Sequence, residues 1–510
     1  MLKFLPAIIL ALIAANIGQT ARAAERAPDL ILRGAVAAAD HQTYREVPFK
    51  VPAGVTRLTL SFDYSGKAQH TTIDLGLRDP QRLRGWSGGN KARVTVAETD
   101  ATPSYLPGPL PAGVWRLVLG VPNIRKTETA TYQANIWFDR GPEPFAGFAA
   151  AAINPAPGWY RGDLHMHSGH SDGACLSRRG VKVACPVFRT LESARARGLD
   201  FIAVTDHNAT SQSEALRELA PYFDDLLLIP GREITTFQGH ANVFGPVASL
   251  DFQLGSARAP DLAAILDEVE AAHGLISINH PAMPSGEACM GCGWTAPNTP
   301  FARFAAIEAV NGGALLVAGR ADGPLSGIPF WEARLYSGQR ITAIGGSDNH
   351  DAGLDAVRAS AIGVPTTVVH AQALDQTSIL AAIRAGHVFI DVEGSRDRLL
   401  EVEATAGAAR AEMGDVLAVG AGPPARIGVH VVGVPGGRLV ASGDGAALIQ
   451  AVGGDRPLDG PDTRRDFILA ADGAVHWLRF DVRDAAGKLL LLGNPIYLRP
   501  AGPDGPPHRP

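Results

Sequence analysis

The sequence has no excess of basic residues. Its 510 residues include 46 lysines and arginines against 51 aspartates and glutamates, and the formal net charge is −5. A surface with this balance lacks the positive field that binds nucleic acid, so we expect no nucleic-acid partner. Hydrophobic residues make up 46% of the chain, as in an ordinary soluble globular protein. The length is too great for one hydrophobic core and favours about three domains.

Long hydrophobic runs are scarce, and the one clear run lies at the amino terminus. Lys3 precedes an apolar stretch over residues 4–15, and Ala21-Arg22-Ala23 then matches the small-x-small pattern of a signal peptidase site. The run is too short to span a bilayer comfortably. The sequence therefore predicts a cleavable signal peptide at 1–23 and a periplasmic or secreted protein without stable membrane insertion. An uncleaved anchor is the alternative.

Cysteine is rare, and the whole chain has four: Cys175, Cys185, Cys289 and Cys292. An even number in an exported protein favours disulfide bonds over free thiols. Three connectivities are open, and we favour the local pairs, Cys175 with Cys185 and Cys289 with Cys292. A zinc site built from the two cysteine pairs is the alternative, although the flanking turns of a zinc ribbon are not evident.

Residues 25–148 have the pattern of an all-β region. Leu58, Leu60 and Phe62 alternate with polar residues, as do Ile73 and Leu75, and turn-forming proline and glycine separate such segments. Alternation with a period of two buries one face of each strand, which predicts a β-sandwich-like domain. No cluster of ionisable residues stands out there, so a packing or accessory role is favoured over carbohydrate binding.

Residues 158–394 differ because short apolar strands alternate with helical stretches. The predicted strands contain Leu164 and residues 201–204, 226–229, 241–244, 275–278, 306–310 and 341–344. Between two of them, residues 262–269 carry apolar side chains at helical spacing, with Asp261 as the cap and Gly274 as the stop. Such alternation predicts an α/β fold with a parallel sheet, and seven strands favour a barrel of the β/α type.

Residues 395–498 return to β structure. Ile427, Val429 and Val431 alternate, and a turn at residues 485–487 separates two apolar segments, 477–482 and 489–492. A second β-sandwich-like domain is therefore predicted at the carboxyl end of the chain. Residues 499–510 are rich in proline and glycine and are predicted to form a disordered tail.

Most predicted strands of the middle region end in histidine or a carboxylate. His165-Met166-His167 begins this series, and alternate residues of an extended segment point the same way. In a β/α barrel the strand ends meet on one face, so nine side chains are expected around one cavity. They are His165, His167, Asp172, His207, Glu233, His240, His280, Asp348 and His350. Crowded carboxylates would repel one another, and bound divalent cations would neutralise this repulsion.

These motifs resemble the motif series of the polymerase and histidinol phosphatase (PHP) superfamily. The resemblance rests on His165-x-His167, Thr205-Asp206-His207, Glu233, Asn279-His280-Pro281 and Asp348-x-His350, and it covers residues 160–392. Gly239-His240-Ala241-Asn242 and the segment 307–312 are similar to its CehA/McbA branch of metallohydrolases. The resemblance implies a distorted (β/α)7 barrel that holds two or three divalent metals, flanked in this chain by the two all-β domains.

The resemblance also implies how the ligands divide among the metals. His165, His167, Glu233 and Asp348 would surround the first metal, and Glu233 would bridge to a second metal held by His240 and His280. Asp172, His207 and His350 would bind a third. His170 competes with Asp172 for that role, and the site is binuclear if neither binds. Zinc and manganese both suit these ligands, and iron is compatible with them.

The implied activity is that of an exported metal-dependent phosphoesterase with a small-molecule substrate. A metal lowers the pKa of bound water towards ~7, and the resulting hydroxide can attack the phosphoester. Glu233 would hold the metals, and His207 or His350 would assist proton transfer. Arg232 is the best candidate to hold an anionic substrate. Arg178, Arg179 and Arg358 are further candidates, and a structural ion pair is the alternative for all four.

Two other functions compete with phosphoester hydrolysis. Relatives in the same branch act on carbamate or carboxylic esters, and one metal centre would serve either bond. A non-catalytic metal-binding or glycan-binding surface protein is the third hypothesis. The two flanking β-domains favour it, whereas the complete set of ligands opposes it. The motifs carry no information on the oligomeric state or on the natural substrate.

Overall fold

The computed structural model describes residues 26–140, 148–149, 151–287, 289–420, 424–454, 457–470 and 472–500. The predicted signal peptide and residues 501–510 of the predicted tail lie outside these ranges. Within them, no helix is both long enough and apolar enough to cross a membrane.

Two antiparallel sheets form the amino-terminal region. Their strands are β1 Leu30–Ala37, β2 Tyr44–Val51, β3 Val55–Tyr64, β4 Thr72–Arg78, β5 Leu83–Gly88, β6 Arg93–Ala97, β7 Gly113–Asn123 and β8 Thr129–Arg140. One sheet has the order β1-β8-β3-β6 and the other has the order β2-β7-β4-β5. Leu58 and Leu60 of β3 share one apolar core with Trp115 and Leu117 of β7. The alternating residues of both sheets therefore bury their apolar faces against each other.

The middle region combines strands and helices. Its strands are β9 Gly158–Asp163, β10 Ala174–Leu176, β11 Lys182–Ala184, β12 Phe201–Val204, β13 Leu227–Thr236, β14 Gly239–Phe244, β15 Leu275–Ile278, β16 Ala306–Asn311, β17 Thr342–Gly346, β18 Thr366–Ala371 and β19 Val388–Asp391. Its helices are α1 Val187–Ala196, α2 Gln212–Leu219, α3 Leu262–Ala271, α4 Gly312–Ala318, α5 Ile328–Tyr336 and α6 Gln376–Ala385. Six of the seven predicted strands coincide with or lie largely within these strands, whereas Leu164 comes directly after β9.

The sheet of the middle region is mixed rather than parallel throughout. Its strand order is β17-β16-β15-β14-β13-β12-β9-β18-β19. The strands β9, β12 and β13 pair in parallel, as do β15, β16 and β17, but β14 is antiparallel to both of its neighbours. Only Phe237 and Gln238 separate β13 from β14. A connection this short can make only a hairpin, because parallel strands require a long crossover, and the prediction of a parallel sheet was wrong at β14.

Side-chain hydrogen bonds bring β17 against β18, although the two lie far apart in the strand order. The backbone N–H of Gly345 donates to Thr367 Oγ1 at 2.8 Å, and that hydroxyl donates to the carbonyl oxygen of Gly345 at 2.7 Å. A Cβ at Gly345 would lie 2.9 Å from the Ile390 side chain of β19. Glycine therefore permits the close approach of these strands. A closed (β/α)7 barrel stays a prediction.

Helix α3 begins where the sequence predicts it. The Asp261 carboxylate accepts the backbone N–H of Ala264 at 3.0 Å, as an N-cap residue does. Ile265, Leu266 and Val269 are the buried residues of this helix, and they belong to the core that also contains strands β14 and β15. The helical periodicity thus attaches α3 to the sheet that carries the candidate site.

The sequence predicts a second β-sandwich-like domain at the carboxyl end. In the structure, part of this region instead continues the central sheet. Its strands are β20 Leu399–Ala406, β21 Ala409–Glu412, β22 Val416–Val419, β23 Ala425–Val432, β24 Arg438–Ser442, β25 Ile449–Ala451, β26 Asp462–Leu469, β27 His476–Arg483, β28 Leu489–Gly493 and β29 Ile496–Pro500. One sheet has the order β21-β20-β23-β26-β25, but β28 pairs with β19 and extends the central sheet through β27, β29 and β22. Leu489 to Leu492 are all buried, as in an interior strand.

Two local predictions for this region have clear outcomes. The turn at residues 485–487 joins β27 to β28, which pair in antiparallel fashion, so the predicted hairpin is confirmed. Gly487 adopts a φ of 85° in that turn, a conformation that favours glycine. Arg499 and Pro500, which were assigned to the tail, instead complete β29.

Candidate metal centre

Eight of the nine predicted ligands lie within strands or in the segments that follow them, and Asp172 lies in the loop between β9 and β10. His165 and His167 follow β9, His207 follows β12, His280 follows β15, and Asp348 and His350 follow β17. Glu233 lies within β13 and His240 within β14. His280 and Asp348 have φ angles of 24° and 51°, which are uncommon outside glycine. Strained backbone of this kind concentrates at functional sites.

Glu233 stands at the centre of the cluster and is fully buried. Its Oε1 lies 3.4 Å from His165 Nε2, 3.3 Å from His240 Nδ1 and 3.4 Å from His280 Nε2. Its Oε2 lies 2.8 Å from His207 Nδ1 and 3.6 Å from His167 Nε2. One carboxylate therefore reaches five imidazoles, the position that a bridging ligand requires.

Asp348 closes the cluster opposite Glu233. Its Oδ1 lies 3.4 Å from His165 Nε2 and 3.3 Å from His167 Nε2. The same two ring nitrogens also face Glu233, so both imidazoles stand between two carboxylates. Two histidines and two carboxylates around one point form a ligand set that suits zinc, manganese or iron.

Three of the histidines are oriented by hydrogen bonds at the ring nitrogen remote from Glu233. His165 Nδ1 donates to Glu308 Oε1 at 3.0 Å, His240 Nε2 donates to the Met290 carbonyl at 3.1 Å, and His280 Nδ1 donates to the Cys292 carbonyl at 3.1 Å. The proton on that nitrogen leaves a lone pair on the other one, which points at the carboxylate. Metal-binding histidines are held in this way.

Several buried polar atoms of the cluster have no hydrogen-bond partner among the described residues. They are His165 Nε2, both ring nitrogens of His167, Glu233 Oε2 and His240 Nδ1. Buried polar atoms of folded proteins are almost always paired, and so many unpaired atoms facing one another indicate a missing common partner. Subsets of these residues place one candidate ligand atom each within 4.8 Å of one another. The residues fit a divalent-metal centre.

The cluster opens to solvent on one side. His167, Asp172, His207 and His350 form a further group whose ligand atoms lie within 4.8 Å of one another. The side chains of Asp172 and His350 are 57% and 40% exposed, whereas those of His167 and Glu233 are fully buried. His350 Nε2 lies 3.4 Å from Asp172 Oδ1. A substrate can therefore reach the cluster from the side of Asp172 and His350.

Charges within the cluster shift the pKa values of its members. Burial alone would raise the pKa of Glu233, but the surrounding histidines, with His165 the strongest, hold it well below its ordinary value. Burial would lower the pKa of His165, but nearby carboxylates, with Glu308 the strongest, raise it well above its ordinary value. Despite burial, Asp172 helps to raise the pKa of His350 to about 9. Carboxylates of the cluster thus favour the protonated forms of His165 and His350, and a divalent cation would take over the role of that positive charge.

Asp206 holds the loop that follows His167 without joining the cluster. Its carboxylate accepts the backbone N–H of Ser168 at 2.8 Å and the hydroxyl groups of Ser168 and Ser171 at 2.7 Å and 2.6 Å. The loop from Ser168 to Asp172 is therefore fixed by the residue next to His207. This support explains how Asp172 stays within reach of His350 although its side chain is largely exposed.

Several other residues singled out in the sequence bond to groups outside the cluster or are exposed to solvent. Arg232 is buried, but its guanidinium donates to the carbonyl of Ala248, and burial lowers its pKa to about 10. His170 is exposed, and its ring bonds to Ser211 Oγ at 2.7 Å. The remaining arginine candidates, Arg178, Arg179 and Arg358, are exposed. Of the proposed catalytic residues, Glu233, His207 and His350 come together and Arg232 does not.

Glu308 contacts two candidate ligands, which the sequence motifs did not predict. Its Oε1 accepts from His165, and its Oε2 accepts the backbone N–H of His280 at 2.9 Å and the Asn311 amide at 2.9 Å. It therefore orients two candidate ligands at once. In the sequence, Glu308 lies in the segment 307–312, which carries part of the resemblance. A carboxylate in an otherwise apolar predicted strand was the signal that could have indicated its role, because a buried charge needs a partner.

The cysteines form the two local pairs that the sequence favours. Cys175 is bonded to Cys185, and Cys289 is bonded to Cys292. A zinc site made from all four cysteines is therefore wrong. The first bond closes the hairpin of β10 and β11 beyond Asp172, and the second closes the loop that contacts His240 and His280. Both bonds brace segments next to the cluster.

Among the comparisons with known proteins, that with solved structures finds a similarity. No protein-family profile and no curated protein sequence matches the chain. Among solved structures, the crystal structure of a proposed metal-dependent phosphoesterase from Bifidobacterium adolescentis aligns with 15% sequence identity and a TM-score of 0.26, over 38% of this chain and 88% of that chain. The assignment of a divalent-metal centre rests on the residues of the site itself.

Proposed function

We propose that the protein is an exported metal-dependent hydrolase that cleaves a phosphoester bond of a small molecule. The observation that carries this proposal is the set of buried, unpaired ligand atoms around Glu233. We also propose that the central sheet closes as a distorted (β/α)7 barrel, in which the strand ends that carry these atoms would share one face.

The ligands divide naturally into a buried and an open part. His165, His167, Glu233 and Asp348 would hold one metal, and Glu233 would share a second metal with His240 and His280. When bound, such metals supply charge that stabilises an anionic transition state and lowers the pKa of water. Asn279 keeps Glu233 in place, because its amide donates to Oε1 at 2.8 Å.

The open side supplies the groups that handle protons. His207 and His350 both lie close to Asp172, at 3.8 Å and 3.4 Å between ring nitrogen and carboxylate oxygen. Their pKa values are raised by neighbouring carboxylates although burial opposes the shift. A protonated imidazole at this position can donate to the departing oxygen of a substrate. We therefore assign proton transfer to His350 or His207 where that imidazole is not engaged by a metal.

The proposal is tested by replacing the central carboxylate. We predict that Glu233→Gln lowers the bound metal content and reduces phosphoesterase turnover by at least about 100-fold, because loss of a shared ligand must exceed the effect of losing an outer partner. Elemental analysis and a panel of aryl phosphates, aryl esters and aryl carbamates would measure both quantities. Glu218→Gln on the exposed surface of α2 is the matched control.

The same panel identifies the bond. Chelator-sensitive hydrolysis of aryl phosphates in the wild type, lost in Glu233→Gln and kept in Glu218→Gln, would support the proposal. Turnover of esters or carbamates alone would overturn the choice of bond. Full turnover in Glu233→Gln, or no stoichiometric transition metal in the wild type, would overturn the metal centre.

A further inference from the structure

The loop Cys289-Met290-Gly291-Cys292 is built against two candidate ligands. The carbonyl of Met290 accepts from His240, and the carbonyl of Cys292 accepts from His280. The disulfide between Cys289 and Cys292 closes this four-residue loop. The proposed function uses only the loop carbonyls and leaves the two sulfur atoms without a role.

The sulfur of Cys292 lies close enough to these histidines to share a metal with them. One ring nitrogen of His240, one ring nitrogen of His280 and Cys292 Sγ all lie within 4.8 Å of one another, and all three residues are buried. Two imidazoles and a thiolate are a ligand set that zinc favours. While the disulfide is intact, the sulfur carries no thiolate charge and cannot serve as that ligand.

The two cysteines differ in access to solvent. Cys292 is 3% exposed, whereas Cys289 is partly exposed. An attacking thiolate can therefore reach the sulfur of Cys289 and expel the buried Cys292 as the leaving group. This order of events would release a thiolate directly beside the two imidazoles.

The loop is also held in place independently of the disulfide. Gly291 adopts a φ of 77° and packs directly on the backbone of Thr236 and Phe237, where a Cβ would collide. The backbone N–H of Trp294 donates to the Pro281 carbonyl at 3.0 Å, just beyond the loop. Breaking the disulfide therefore leaves Cys292 near His240 and His280.

We propose that reduction of the Cys289–Cys292 disulfide converts Cys292 into a metal ligand that acts together with His240 and His280. This inference rests on the proposed metal centre and adds to it a sulfur position that depends on redox state. In the oxidised protein, nitrogen and oxygen alone would bind metal at these histidines. In the reduced protein, a soft thiolate would join them and favour zinc over manganese.

The redox step needs a dithiol reductant, such as dithiothreitol or a dithiol protein. Its first thiolate attacks Cys289, the sulfur–sulfur bond breaks, and Cys292 leaves with the electron pair. The second thiol of the reductant then closes its own disulfide and releases Cys289 as a thiol. Two electrons pass from the dithiol to the protein disulfide, and Cys292 gives up no further proton when it binds metal as the thiolate.

Cobalt provides the test, because a thiolate bound to Co(II) adds a charge-transfer absorption in the near ultraviolet that nitrogen and oxygen ligands lack. Cys289→Ser leaves Cys292 as a free thiol without any reductant. We expect its cobalt form to show this absorption, and the cobalt form of Cys292→Ser to lack it. The oxidised wild type should lack the absorption, gain it when cobalt is added after reduction with dithiothreitol and removal of that cobalt-binding thiol, and lose it on reoxidation.

Two further measurements keep the outcomes distinct. The double variant Cys175→Ser/Cys185→Ser removes the other disulfide, so any change with dithiothreitol then belongs to Cys289 and Cys292. If Cys289→Ser does not fold, the reduced wild type and Cys292→Ser provide the same comparison. Stoichiometric cobalt with identical spectra in Cys289→Ser and Cys292→Ser would overturn this inference alone. Absence of cobalt binding in the oxidised wild type would overturn the proposed metal centre instead.

Discussion

Glu308 lies outside the set of candidate ligands but contacts two of its members. It accepts the His165 Nδ1 proton at 3.0 Å and the backbone N–H of His280 at 2.9 Å. We predict that Glu308→Ala weakens metal binding about 10–100-fold, as loss of such an orienting partner does in metal sites. Glu308→Gln should have a smaller effect, because an amide oxygen can still accept from His165. Competition with a chelating dye measures both affinities.

Comparison of the metal affinities of Glu308→Ala and Glu308→Gln shows whether Glu308 orients His165 or only fills space in the core. If Glu308 acts through His165, the alanine variant loses more affinity than the glutamine variant while both retain the wild-type fold by circular dichroism. Equal and wild-type affinities in the two variants would contradict the orienting role.

Two histidines near Asp172 provide a comparison at the open side. His350 Nε2 lies 3.4 Å from Asp172 Oδ1, whereas His170 is bonded to Ser211 at 2.7 Å. We predict that His350→Ala removes the outermost metal and that His170→Ala leaves the metal content unchanged. Elemental analysis after dialysis reports both stoichiometries. Metal loss in His170→Ala would mean that His170, and not Asp172, is a ligand of the third metal.

Strand geometry explains why Glu233 lies in the cluster whereas Arg232, which was also predicted to lie there, does not. Glu233 and Arg232 are adjacent in β13, and successive side chains of a strand point to opposite faces. Because Glu233 faces the cluster, Arg232 has to face away, and it bonds to Ala248. The alternation rule was sufficient to place Arg232 outside the site. Glu308 was harder to place, since a fully buried strand has no polar face that marks its direction.

The arrangement of elements was predictable where a local signal exists. Asp261 marks the start of α3 through its bond to the backbone N–H of Ala264, and this signal is local because the two residues are only three positions apart. The direction of β14 was missed because both faces of β13 and β14 are buried, which is also typical of parallel strands. Only the short connection through Phe237 distinguishes the two cases.

The start of β19 is tied to the carboxyl-terminal region by a histidine with two carboxylates. His387 Nε2 lies 3.2 Å from Asp415 Oδ1, and its Nδ1 lies 3.4 Å from Glu412 Oε1. Burial opposes protonation, but the bond to Asp415 prevails and raises the pKa of His387. The stabilisation is therefore complete below the unfolded pKa of about 6.5 and is lost as the pH rises through the higher folded value.

We accordingly predict that His387→Gln lowers the free energy of unfolding by about 1 kcal/mol at most at about pH 6 and by less at about pH 9, since partly exposed ion pairs are weak. Urea denaturation of both proteins at the two pH values measures the difference. His41→Gln, at an exposed position, is the control. An equal loss at both pH values would contradict the ionic contribution of His387.

At the scale of the whole molecule, pairing between distant segments was the part that sequence patterns could not supply. Residues 389–391 pair with residues 491–493, so the carboxyl-terminal strands extend the sheet that carries the candidate site. Hydrophobic alternation identifies each strand but carries no information on its partner about a hundred residues away. The boundary predicted at residue 394 therefore divides a continuous sheet.

The candidate metal cluster draws its residues from several strands of this continuous sheet and from the segments that follow them. The candidate ligands come from β13, β14 and the segments that follow β9, β12, β15 and β17, and a bound metal would add a further link among strands that the backbone hydrogen bonds of the sheet already pair. We predict that a chelator lowers the thermal unfolding temperature and that added zinc or manganese restores it. A ligand that binds only the folded state adds about 2.7 kcal/mol when its free concentration is about 100 times its Kd.

Differential scanning calorimetry with and without chelator measures this coupling. Glu233→Ala should show the same unfolding temperature under both conditions, because the shared ligand is gone, while Glu218→Gln should respond as the wild type does. An unfolding temperature that does not respond to chelation in a wild type shown to contain metal would mean that the cluster contributes nothing to folding. In that case the backbone hydrogen bonds of the sheet and its apolar core, in which Ile234, Ile276 and Ile307 are buried, would be sufficient to hold the strands together.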